Sequence, residues 1–204
     1  MIRLQKWLDH HAAIEYPCEV QLAAIGDGVR DEIVWPAIPF GTGLRPDIRY
    51  HAINLHPHLG RPSHLNYPGW WRSFAHSVKI ARANGCRRIW HVESDFFLAS
   101  HRMVERMNSL VQGWSAFWCR KHNFPETGVQ VICENVFDVL QVYERRRLQM
   151  EGRHAEGVLP FNNIFRDMVG DRYGEDGIPP DAINGLDYYG QARPETVFLF
   201  RAAR

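Results

Sequence analysis

The sequence predicts an α/β fold: a mainly parallel mixed sheet with helices on both faces, in a single domain over residues 1–204. Three observations predict it. Apolar residues recur at helical spacing in several segments. Short runs rich in Val, Ile, Trp and Phe lie between them and read as strands. The two kinds alternate through the middle of the chain, the pattern of a sheet covered on both sides. No internal repeat, low-complexity tract or interdomain linker interrupts it. A chain of 204 residues buries roughly 70% of its unfolded surface, enough for a core without metals or disulfides.

The elements run in order along the chain. Leu4, Trp7, Leu8, His11 and Ala12 share one helical face. Glu19 to Ile25 reads as a strand stopped by Gly26-Asp27-Gly28. Residues 35–46, with three prolines and two glycines, read as loop, and Asp47 to Leu55 as a second strand. A His-, Pro- and Gly-rich loop fills 56–69. Trp70, Trp71, Phe74, Ala75 and Val78 then mark a helix stopped at Asn84-Gly85. Arg88 to Glu93 is the next strand. Ser100 caps a helix with the face Met103, Val104, Met107, Leu110 and Val111, ending at Gly113. Trp114 to Cys119 and Val129 to Cys133 read as strands, and Val136, Val139, Leu140 and Tyr143 as a helix face. Leu159 to Val169 is expected to be helical, 170–181 a loop, and Thr196 to Phe200 a last strand.

Charge and composition narrow the function. Lys and Arg number 24 against 23 Asp and Glu, a net charge of +1, so nothing in the balance attracts nucleic acid or an anionic membrane. The run Arg145-Arg146-Arg147 reads as an exposed helix end that suits the dipole. Cys18, Cys86, Cys119 and Cys133 have no C-x-x-C spacing, which excludes a zinc ribbon. No apolar stretch has the length to cross a bilayer, and no signal-peptide core opens the chain, so a cytoplasmic location is expected. G-x-S-x-G, G-x-G-x-x-G and Walker A motifs are absent from the sequence.

In sheets of this kind, ligands bind beyond the carboxyl ends of the strands. Loop 56–69 and the turn Glu93-Ser94-Asp95 should meet there, because a right-handed crossover puts strands 47–55 and 88–93 in one sheet, pointing the same way. Glu93 and Asp95 are two residues apart and in extended backbone point to the same side. Their hard carboxylate oxygens suit Mg²⁺ or Mn²⁺. The alternative is structural: Asp95 caps a turn and Glu93 pairs with a neighbouring Arg. Arg72, at the start of its helix, lies nearest this edge and is a candidate phosphate contact, with Trp70 beside it as a candidate substrate contact. His51, His56, His58 and His64 cluster, but Pro57 breaks any helical face, and satisfied loop histidines are the better reading.

Tyr67-Pro68-Gly69-Trp70-Trp71-Arg72-Ser73, the helix to Gly85, and Arg88 through Asp95 together resemble the middle of a GT-A-fold glycosyltransferase. Leu4 to Gly28 resembles that family's first helix and second strand, and Gly113 to Leu140 its next strand pair and helix, so the likeness covers residues 3–140. It implies a GT-A-like, Rossmann-like domain that holds a divalent metal, Mn²⁺ or Mg²⁺, on the diphosphate of a sugar nucleotide. Asp95 matches the usual metal ligand. Glu93, standing where the family has the first Asp of D-x-D, would be the carboxylate nearer the ribose and a second metal contact. The family's first strand, which walls the base site, would precede Met1, implying either a truncated start or a degenerate pocket. Beyond residue 140, Glu156 is the candidate catalytic base, with a helix-start carboxylate as the alternative.

The expected function is therefore metal-dependent sugar transfer from a nucleotide diphosphate donor to an unknown acceptor, with no nucleic-acid partner. The first rival is a non-catalytic nucleotide- or glycan-binding protein of the same fold. The second is a metal-dependent phosphohydrolase in which His56 or His58 approaches Asp95. An uncovered edge on strand 19–25 would invite a second segment or subunit, so a homo-oligomer is also expected.

Overall fold

The computed structural model describes residues 2–27, 49–173 and 185–191. The expected loop 35–46 and the expected strand Thr196–Phe200 lie outside them. Helix α1 (Ile2–Ala12) opens the chain and buries Trp7, Leu8 and His11. Strands β1 (Gln21–Gly26) and β2 (Arg49–Asn54) pair in parallel, Gln21 opposite Arg49 and Gly26 opposite Asn54. Helix α2 (Pro68–Ala83) begins with Pro68 in its first turn, where a missing N–H costs nothing. It buries Trp71, Phe74, Ala75 and Val78, four residues of the expected face. Gly85 stops it in the left-handed region, φ 65°, and the following Cys86 N–H donates to the Ala81 carbonyl.

Strand β3 (Arg88–Val92) leads through the acidic turn into a short strand, β4 (Phe96–Leu98), that periodicity alone did not reveal. Helix α3 (His101–Ser109) comes next, with the Ser100 hydroxyl accepting from the Met103 N–H at 3.1 Å. Its buried face is Met103, Val104 and Met107; it ends four residues before Gly113, which leaves Val111 exposed rather than in the expected stripe. Strand β5 (Trp114–Cys119) is as expected, whereas β6 (Phe124–Cys133) starts five residues earlier than its apolar run. Helix α4 (Phe137–Arg146) buries Phe137 and Leu140, with Val139 exposed. After one short turn of helix, α5 (Ala155–Val158), strand β7 (Asn163–Phe165) stands where a helix over 159–169 is expected. The expected loop at 170 begins with strand β8 (Gly170–Arg172), and β9 (Tyr188–Gly190) closes the described part.

The sheets are mixed, not mainly parallel. Strand β6 lies antiparallel between β3 and β5, and β7 joins β5 in parallel, giving the order β3-β6-β5-β7. A second sheet runs β4-β9-β8, with β4 antiparallel and β8 parallel to β9. Among the described residues the expected crossover from β2 to β3 within one sheet is not seen: β2 pairs with β1, and β3 pairs with β6. Strand β6 arrives by the tight connection after β5, pairs with β5 as a hairpin and takes β3 on its other side, which an alternation count does not anticipate.

Side-chain alternation on β6 sorts the core into two faces. Ile132 joins Trp71, Phe74, Trp114, Phe137 and Leu140 beneath α2 and α4. Val129, Val131 and Cys133 face Phe96, Met103, Met107 and Tyr188 beneath α3. A third cluster gathers Trp7, Leu8, Leu22, Phe97 and Tyr189 under α1. Among the described residues, no helix is long and apolar enough to cross a membrane.

Candidate functional site

The acidic turn is held from both ends. The Glu93 N–H donates to the Gly128 carbonyl at 2.9 Å, and the Phe96 N–H closes the turn on the Glu93 carbonyl at 2.9 Å. Phe96 then anchors β4. Its ring lies so close to Gly128 and Gly190 that a Cβ at either would sit 2.4 or 2.1 Å from it. Glycine is therefore needed at both positions for β4 to dock, and the docking sets where Asp95 stands.

Glu93 is the centre of the site. Its Oε1 accepts from the Trp70 indole N–H at 2.8 Å and lies 3.8 Å from His91 Nε2. The His91 ring is enclosed by Phe74, 4.5 Å away, and by Trp70, edge-on at 6.0 Å. Burial pushes the Glu93 carboxyl up, but His91, the Trp70 N–H and the Arg172 charge outweigh it and hold it below its ordinary value. Glu93 is therefore a carboxylate at neutral pH.

Arg172, from β8, links this turn to Glu156. Its Nε and Nη2 donate to the two oxygens of Glu126 at 2.9 and 2.6 Å, and Nη2 donates to Glu156 Oε1 at 3.0 Å. The Thr127 hydroxyl donates to the same Glu156 oxygen at 3.2 Å. Glu126 is fully buried and also accepts from the Gly128 N–H at 2.8 Å. The Arg172 guanidinium sits 4.8 Å from the centre of the Phe124 ring. Tyr67 registers the convergence. Burial raises its phenol, and the Glu156 and Glu93 charges add to the rise against the Ala155 N–H and Arg61. Its hydroxyl accepts from the Ala155 N–H at 2.9 Å, next to Glu156.

Of the residues singled out from sequence, Trp70, Glu93 and Glu156 thus converge, with Asp95 two residues along the turn. Arg72 reaches the β1 end of this edge. It pairs with Asp27 at the end of β1 and donates to the Leu55 and Pro57 carbonyls at 2.9 and 2.8 Å. Asp27 also accepts from the Leu59 and Gly60 N–H groups at 3.0 and 2.6 Å, which staples loop 56–69 to β1 and α2. The loop histidines are engaged locally: His56 with Asn54 at 3.2 Å, His58 with the Asp27 carbonyl, and His64 with Arg61 at 3.3 Å. Arg172, Glu126 and Thr127 were missed by sequence reasoning. The signal was present in Glu126-Thr127, a charged and polar pair running straight into an apolar strand, where an unpaired charge is costly.

A cleft of about 860 Å³ opens beside this site. Gly26, Asp27, Gly69, Trp70, Glu93 and Ser94 line it, so the β1 end, the α2 start and the acidic turn share one edge. Among the described residues, no group of three His, Cys, Asp or Glu could hold a metal by itself.

No family model matches the chain, and no curated protein matches it. Among solved structures it is similar to the crystal structure of a glycosyltransferase involved in the glycosylation of the major capsid of PBCV-1. The two are 10% identical over 74% of this chain and 85% of that chain, with a TM-score of 0.46. A likeness that loose carries no weight for activity.

Proposed function

We propose that this chain transfers a sugar from a nucleotide diphosphate donor, with Mg²⁺ or Mn²⁺ at the acidic turn. The observation that carries the reading is a surplus of negative charge, among the described residues, at the strand-end edge. Glu126 and Glu156 share the single guanidinium of Arg172, and Glu93, held ionised, lies within reach of the same charge. Asp95 adds a further carboxyl group along the turn. An edge with more carboxylates than cations favours a bound cation. The donors are hard oxygens and too few to cage an ion, which fits a metal that takes most of its ligands from water and substrate phosphates.

Asp95, with Glu93, would hold the metal, which when bound would neutralise the charge gathering on the departing diphosphate. Trp70 fixes the Glu93 carboxylate through its N–H and offers a flat apolar face at the cleft. Glu156 would accept the proton of the acceptor hydroxyl, with Arg172 and Thr127 fixing the carboxylate's orientation.

A thermal-shift screen of nucleoside diphosphates, with and without Mn²⁺, tests the reading. Stabilisation that needs both nucleotide and Mn²⁺ is expected, since a ligand that binds only the folded state raises Tm. Asp95→Ala should abolish the Mn²⁺-dependent part, and Glu156→Gln should keep binding but lose transfer. Undiminished stabilisation of Asp95→Ala would remove the metal role, and no response to any nucleotide would remove the donor. Binding without transfer by the wild type would favour the non-catalytic alternative.

A further inference from the structure

Beside Glu156 the surface carries a group of exposed cations. Loop 56–69 is tied to the segment that leads into α5 by three hydrogen bonds. The Gly152 N–H donates to the Leu65 carbonyl at 2.9 Å, the Tyr67 hydroxyl donates to the Arg153 carbonyl at 2.9 Å, and the same hydroxyl accepts from the Ala155 N–H at 2.9 Å. These bonds bring Arg61 and His64 of the loop together with Arg153 and His154, and all four are exposed. The His64 and His154 rings stand edge to face with centres 5.9 Å apart, and the Arg61 guanidinium lies 5.7 Å from the centre of the Tyr67 ring. Arg61 is fixed by its own loop. Its Nε donates to the Ser63 carbonyl at 3.4 Å, and its Nη2 to the His64 carbonyl at 2.9 Å and to His64 Nδ1 at 3.3 Å. A guanidinium only donates, so His64 Nδ1 accepts and the ring proton sits on Nε2, free to be offered outward. Among the described residues, Arg61 Nη1 and the Arg153 guanidinium meet no hydrogen-bond partner and no carboxylate.

We propose that Arg61, His64, Arg153 and His154 form a subsite for an acidic sugar, one carrying a phosphate or carboxylate group, and that such a sugar is the acceptor. The second half rests on the sugar-transfer reading above; the subsite itself does not. The carboxylates on the same segment are Glu151 and Glu156, and Glu156 already accepts from Arg172 and Thr127. The charges of Glu156 and Glu93 repel an acidic sugar, and the neighbouring arginines reverse that repulsion locally. A guanidinium held by its own loop has little freedom left to lose on binding, and its flat fork suits phosphate and carboxylate oxygens. Reach agrees. His154 and Glu156 are two residues apart, so their Cα atoms lie within about 7.6 Å of each other. That is the scale of one sugar ring with its substituent, so an anion on the cations leaves a ring hydroxyl for Glu156. The anion bound here is met by side-chain donors, whereas the diphosphate of the donor is assigned to a metal at Asp95 and Glu93.

Proton NMR of the full chain tests this. The ring protons of His64 and His154, assigned with His64→Asn and His154→Asn, are followed during titration with glucose 6-phosphate, glucuronic acid and glucose. At least one of the two acids should shift both rings saturably, less tightly at higher salt, and glucose should not. The tighter acid identifies the anionic group. Arg61→Gln and Arg153→Gln should each weaken that acid about tenfold. Both variants should keep the wild-type Tm and the Mn²⁺-dependent stabilisation by a nucleoside diphosphate. Arg153→Gln separates lost charge from a disturbed loop, because its guanidinium braces nothing else among the described residues. An equal response to glucose, or acid binding untouched by both substitutions, would overturn the subsite. Inorganic phosphate bound as tightly as glucose 6-phosphate would overturn the sugar. A nucleoside diphosphate that displaces the acid without metal would give the cations to the donor and overturn the proposal as well. Acid binding without any nucleotide binding would keep the subsite and remove the sugar-transfer reading, whereas nucleotide and Mn²⁺ binding without acid binding would do the reverse.

Discussion

Two arginine–carboxylate clusters of this molecule are built in opposite ways. Around Arg72, one cation meets one carboxylate, Asp27, and the remaining bonds run to backbone: two N–H groups donate to Asp27, and Arg72 donates to two carbonyls. Charge is balanced and the groups are spent on holding a loop. Around Arg172, one cation serves two carboxylates, one of them fully buried, with a third within reach. Among the described residues negative charge is left over, on Glu156 and Glu93. A balanced pair acts as a staple, whereas an unbalanced cluster is held in place by the fold for something that completes it.

The largest expected effect sharpens that contrast. Arg172→Met strips the arginine partner from fully buried Glu126, and breaking a buried pair from one side costs about 3–5 kcal/mol. Arg72→Met leaves Asp27 with its backbone donors and should cost less, about 1–3 kcal/mol. Urea melts of both variants compare them directly, and equal losses would erase the distinction. Phe74→Ala, which carries no charge, should cost about 3–5 kcal/mol because the ring is buried behind Trp70 and His91. An unchanged Tm would show that the α2 face is wrongly described.

Acid titration should show the smallest effects, in two steps. His11 is held well below its ordinary value by burial, then by His10, against a weaker opposing pull from the Phe96 backbone. An unfolded histidine takes its proton near pH 6.5 while the folded one resists, so stability should start to fall below about pH 6.5. Glu93 is lowered too, so its contribution is present above about pH 4.3 and is lost as the pH drops further. His11→Asn should flatten the first step only, and Glu93→Gln the second only, in Tm measured against pH. A single step in the wild type, unmoved by either substitution, would contradict both assignments.

Where local rules suffice, the sequence alone determined the outcome. The α2 core face, its stop at Gly85, the Ser100 cap and strand β5 arise from periodicity and from residues within a few positions. The acidic turn at the end of β3 was legible for the same reason: two carboxylates closing an apolar run are visible without knowing what lies opposite. Tertiary structure decided everything that depends on partners far along the chain. Strands of three residues, such as β4, β7 and β8, are too short to show a period and exist because a neighbouring strand accepts their hydrogen bonds. The pairing of β3 with β6, the pairing of Arg72 with Asp27, and the meeting of Arg172 with Glu126 and Glu156 join residues 16 to 46 positions apart. Such contacts form only when the packed core brings the groups together and makes leaving them unpaired costly, a condition that no local pattern encodes.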